Sequence, residues 1–70
     1  MKQLQLEIKK YFGRIRIYPA NELALSVTNY LLNQKTLTIR NISEMKKLGY
    51  SFKVTSAPKD QEMLVERIEG

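Results

Sequence analysis

Apolar and polar residues alternate with period two in three stretches of the sequence and recur at helical spacing in three others. From Gln3 to Lys9, Leu4, Leu6 and Ile8 alternate with Gln3, Gln5, Glu7 and Lys9, the pattern of a strand that buries one face. Arg14 to Tyr18 repeats the pattern, with Ile15 and Ile17 on one side and Arg14, Arg16 and Tyr18 on the other. Lys10 to Gly13 between them reads as a hairpin connection, with Gly13 free to take a positive φ. The two strands are therefore expected to pair antiparallel. Pro19 has no N–H to donate and ends the ladder.

Asn21 is placed to cap a helix over residues 21–33, and Glu22 suits its positive first turn. Leu23, Ala24, Val27, Tyr30 and Leu31 form the predicted core stripe. Leu25 and Leu32 fall on the opposite side at 100° per residue, seven apart in one ridge. Such a ridge either lies under a second helix or meets another molecule. After the polar connection Asn33–Lys35, Thr38 precedes Ile39, Ile42, Met45 and Leu48, so a second helix is expected from Ile39 with Thr38 as its cap. Asn41 with Glu44 forms a competing capping box that would start it a turn later. Gly49 stops it, and Lys46 and Lys47 suit the negative end of its dipole.

Tyr50, Phe52 and Val54 then alternate with Ser51, Lys53 and Thr55 as a third strand. Pro58 marks a turn over Ser56–Asp60. Leu64, Val65 and Ile68 fit a terminal helix with Glu62, Glu66 and Glu69 on its outer face, whereas a strand would turn Glu66 inward. The expected fold is α+β in the order strand, strand, helix, helix, strand, terminal helix. Its three-stranded sheet is mainly antiparallel or mixed, with two helices packed on one face.

A length of 70 residues implies one domain over 1–70 with a marginal core, worth roughly 3 to 5 kcal/mol net. The chain has no cysteine and no histidine, which removes disulfides and effectively excludes a structural zinc site. No apolar run approaches the roughly 20 residues of a membrane span, and the amino-terminal stretch lacks an apolar signal core. No membrane partner and a cytoplasmic location are the expectation.

Charge adds an asymmetry. Residues 1–59 hold eleven Lys and Arg against Glu7, Glu22 and Glu44, while residues 60–70 hold Asp60, Glu62, Glu66 and Glu69 against Arg67 alone. A basic body with an acidic tail suits an anionic partner and a tail that shields it.

Catalysis at neutral pH usually recruits histidine, cysteine, paired carboxylates or a metal. This inventory is nearly empty, so neither an enzyme nor a cofactor is expected. Gly13, Gly49 and Gly70 are isolated and form no phosphate loop. Three surfaces remain as candidates. The first is the outer sheet face, where Lys9, Arg14, Arg16, Tyr18 and Lys53 would pair with phosphates of DNA or RNA and stack a base. Tyr11–Tyr18, YFGRIRIY, shares aromatics and a glycine with RNA-recognition strands, but arginine fills two positions where that motif needs exposed aromatics, and the match fails.

The second surface is the helix pair, arranged as a helix-turn-helix, with Arg40, Asn41, Ser43, Glu44 and Lys47 facing a groove and Arg40, Lys46 and Lys47 as a second basic patch. The third is the ridge of Leu25 and Leu32, which would serve a homodimer or another protein partner. The expected function is a small basic, non-catalytic binding module, nucleic-acid-binding or regulatory through its cationic sheet face. The alternative is a protein–protein interaction module, such as an inhibitor or adaptor.

Overall fold

The structure, a computed structural model, describes residues 3–70. Met1 and Lys2, part of the expected 1–70 domain, lie outside the described residues. The elements follow the predicted order: β1 (Gln3–Tyr11), β2 (Arg14–Pro19), α1 (Glu22–Ser26, continued by a π-helical turn over Val27–Leu31), α2 (Ile39–Lys47), β3 (Ser51–Ser56), a 3₁₀ turn (Lys59–Gln61) and α3 (Glu62–Glu69). The fold is α+β.

The hairpin is tighter than Lys10–Gly13. Lys10 and Tyr11 extend β1, and the turn is Phe12–Gly13 with φ of +49° and +78°, the signs a type I′ turn requires to match strand twist. The sheet runs in the order β2-β1-β3. β1 is antiparallel to β2 but parallel to β3, so of the two expected arrangements the sheet takes the mixed one. The reason is the long connection through α1 and α2, which can return β3 to run alongside β1 where a short turn could not.

Leu4, Leu6 and Ile8 of β1, Ile17 of β2 and Phe52 of β3 point to one side of the sheet. They meet Ala24 and Val27 of α1, Ile42 and Met45 of α2 and Ile68 of α3 in one core. α1 packs on β1 and β2, while α2 and α3 pack on β3. Each helix thus finds its apolar partner in the sheet, and α1 and α2 are not stacked as a helix-turn-helix.

Local signals for α2 hold. Thr38 Oγ1 accepts from the Asn41 amide at 3.1 Å, and Asn41 Oδ1 accepts from the Thr38 amide at 3.0 Å, so Asn41 closes the box as its third residue instead of starting a later helix. Gly49 takes φ +96° and leads into β3. Leu48, expected in the stripe, is exposed.

The first helix departs from expectation. Asn21 caps it, accepting from the Ala24 amide at 2.9 Å, but after Ser26 the backbone widens, with Leu32 N–H donating to Val27 C=O five residues back at 2.9 Å. Thr28 is fully buried and donates its hydroxyl to Ala24 C=O at 2.7 Å, a back-bond that bends helices. The inserted residue rotates everything beyond it. Thr28 takes a core place instead of Tyr30, and Leu32 packs against the core where Leu31 was expected. Tyr30 is 85% and Leu31 70% exposed. The ridge expected from Leu25 and Leu32 is thereby broken up, with only Leu25 left facing water.

Both outer edges of the sheet are partly closed from within the chain. Leu37 N–H donates to Ile17 C=O of β2 at 2.9 Å, and the Glu69 carboxylate accepts the Val54 N–H of β3 at 2.8 Å. Lys10, on the helix side of β1 beyond the core, pairs with Asp60 at 3.0 Å. The acidic C-terminal residues are therefore structural in part, since α3 buries Ile68 completely and docks through Glu69, while Asp60 of the preceding 3₁₀ turn pairs with Lys10. They are not simply a shielding tail.

Candidate nucleic-acid interface

The helices cover one face of the sheet and leave the other open. The pairing register sets Tyr11 opposite Arg14, Lys9 opposite Arg16, Glu7 opposite Tyr18 and Gln5 opposite Lys53. Because side chains alternate along strands, all of these emerge on the same face. Lys9, Tyr11, Arg14, Arg16 and Lys53 are exposed, and Gln5, Glu7 and Tyr18 are half-buried. Among the outward-facing strand residues Glu7 is the only acid.

The cations are not equivalent. Lys9 Nζ lies 3.0 Å from Glu7 Oε1 and 5.3 Å from the centre of the Tyr18 ring. The hydrogen bond and charge of Glu7 hold the Lys9 ammonium above its ordinary value of 10.5, so it is occupied within the protein. Arg14 and Arg16, by contrast, have no carboxylate within salt-bridge reach among the described residues. Lys53 shares the face but lies across β1, four residues along from Lys9, or roughly 13 Å at strand rise. The face is thus an arginine pair near the hairpin with one distant lysine.

Two tyrosines accompany the arginines. The Tyr11 and Tyr18 rings meet edge to face with centroids 6.5 Å apart, leaning toward each other from rungs four residues apart. Tyr11 escapes a reading that ends the strand at Lys9. Continuing the same alternation by two residues would have placed it on this face.

The second basic patch lies away from this face. Arg40, Lys46 and Lys47 lie on α2, in the helix layer. Lys46 donates to the Arg67 carbonyl near the end of α3 at 3.0 Å, where a cation suits the negative end of the helix dipole. Lys47 approaches Glu44 at 3.6 Å. Of the three, Arg40 alone is exposed without such a partner among the described residues.

At the outer edge of β2, a cleft of about 400 Å³ opens between Arg14–Ile17 and Thr36–Ile39, with Leu64 contributing to its wall. Ile17 C=O points out of the sheet to Leu37, so the backbone groups of Ile15, two residues away, point out of the same edge. Among the described residues, no group of three acidic, cysteine or histidine side chains is placed to hold a metal ion, and no helix is long and apolar enough to cross a membrane. No protein-family model, curated protein or solved structure matches the chain, so the reading of this face rests on its own chemistry.

Proposed function

We propose that the chain is a small, non-catalytic nucleic-acid-binding module that holds backbone phosphates on the open face of its sheet. The observation that carries this is the pair Arg14 and Arg16, exposed on one face without an internal carboxylate partner among the described residues. Arginine forks match phosphate oxygens two at a time. Lys53 extends the track across β1, and Lys9 joins it where a phosphate displaces Glu7. Binding of this kind tolerates sequence, because phosphate contacts position a ligand without reading bases.

The test is fluorescence anisotropy of a labelled 20-base-pair duplex across a salt series. Engagement of three to four phosphates gives a log–log slope of roughly −3 to −4. Arg14→Glu with Arg16→Glu should weaken binding at low salt by at least about tenfold and leave the melting temperature nearly unchanged, since both side chains are exposed. Absence of binding in the lowest salt, or a slope near zero, would refute the proposal.

A second reading, docking of another protein chain, is favoured by the cleft beside β2 rather than by Leu25 and Leu32. An extended segment could hydrogen-bond to the outward backbone of Ile15 and place an apolar side chain against Ile15, Leu37, Ile39 and Leu64. If copies of this chain join there, sedimentation mass rises with concentration and Ile15→Thr suppresses the rise. A constant monomer mass removes self-association through this edge.

A further inference from the structure

Phe12 occupies the first central position of the β1–β2 turn. Its φ is +49°, a left-handed conformation that disfavours a bulky L-residue and that asparagine or glycine adopts at less cost. No burial offsets that strain, because Phe12 is 104% exposed. A strained residue that packs on nothing in its own chain calls for a role outside it.

Its neighbours indicate what that role is. Tyr11 and Arg14 form the rung that closes the turn, and the arginine pair continues along the open face. Of the aromatic rings at this end of the sheet, Tyr11 and Tyr18 are engaged with each other, and Lys9 stands over Tyr18. Phe12 alone keeps both ring faces open. The other highly exposed aromatic, Tyr30, lies on the π-helical turn in the helix layer.

We propose that Phe12 is a base-stacking residue and that the preferred ligand is nucleic acid with unpaired bases. This rests on the phosphate-binding reading of the sheet face and narrows it. Arg14 and Arg16 hold the backbone as it crosses the hairpin, and the adjoining ring offers a planar apolar surface to the next unpaired base. In an intact duplex the bases are stacked on one another and withheld, so Phe12 finds no partner. Discrimination between single and double strands then comes from one aromatic residue, while the arginines supply affinity to both.

The experiment compares a labelled 20-mer of thymidine with a 20-base-pair duplex at the same low salt, for wild type, Phe12→Asn, Phe12→Trp and the Arg14→Glu, Arg16→Glu double variant. Phe12→Asn should weaken binding of the single strand roughly 5- to 100-fold, the loss of one base–aromatic stack, and change duplex affinity by less than about twofold. It should also raise the melting temperature, because asparagine suits a left-handed turn position. The chain contains no tryptophan, so the indole of Phe12→Trp reports the site alone, and its emission should be quenched by the thymidine 20-mer and not by the duplex.

Unchanged single-strand affinity in Phe12→Asn, or indole emission in Phe12→Trp that is indifferent to the 20-mer, overturns the stacking role. Should the arginine variant still weaken both ligands in that event, the phosphate-binding reading survives. Failure of the wild-type protein to bind either ligand overturns both.

Discussion

Asn21 shows how much one side chain can join. Its Oδ1 accepts from the Ala24 amide at 2.9 Å to cap α1 and also lies 3.3 Å from the Gln5 amide of β1, while its Nδ2 reaches the Gln3 carbonyl at 3.4 Å. The cap is legible in sequence, since asparagine before an apolar stripe has that chemistry. The attachment to β1 is not, because Gln3 and Gln5 are brought there by strand pairing.

Asp60 makes the same point with charge. Its hydrogen bond to Lys10 is the leading cause that holds its carboxyl below the ordinary 3.8. A carboxyl depressed on folding contributes stability that is fully present above its unfolded value and is lost as pH falls through the folded one. Thermal melts of the wild type should therefore lose this contribution below about pH 4, and Asp60→Asn should remove that part of the acid dependence. Equal acid sensitivity in both proteins would show that the pairing with Lys10 does not act in solution.

At the scale of elements, α2 and β3 follow their local code closely: a Thr38 cap, a glycine stop and an alternating strand. The first helix does not. A stripe drawn at 100° per residue carries Leu23, Ala24 and Val27 inward and continues to Tyr30 and Leu31, but the π turn inserts a residue and delivers Thr28 and Leu32 instead. Nothing in residues 27–31 announces this, because Val, Thr, Asn, Tyr and Leu all tolerate ordinary helix. The bend follows from where Thr28 must sit when α1 packs on the sheet.

The consequence can be measured by paired truncations. Leu32→Ala should destabilise by about 1 to 2 kcal/mol, below the full core range because Leu32 is only half-buried. Leu31→Ala should stay within about 0.5 kcal/mol. The reverse ranking in denaturant unfolding would restore the regular helical register.

Over the whole molecule, the helices gather on one face of the sheet and Arg14 and Arg16 stand on the other, so the charge of the sheet is directional. That arrangement underlies the salt dependence and the Arg14, Arg16 reversal predicted for nucleic-acid binding. Long-range attraction is screened within about 8 Å at physiological salt, which makes proximity of Arg14 and Arg16 on one strand more consequential than the total charge of +5. Lys46, Lys47 and Lys10 contribute to that total but are engaged by the Arg67 carbonyl, Glu44 and Asp60.

By itself the sequence determined the order of strands and helices, the Asn21 cap, the Gly49 stop and the sidedness of each strand. These depend on residues within a turn or two of one another, where spacing translates directly into geometry. Only the tertiary structure decided that β1 is central and parallel to β3, that α1 widens at Val27, which cations are occupied and which are free, and that Phe12 stands uncovered at the tip. Each of those depends on partners far apart in the chain, as with Lys10 and Asp60 fifty residues apart, whose meeting is fixed by the competition of all surfaces for one small core.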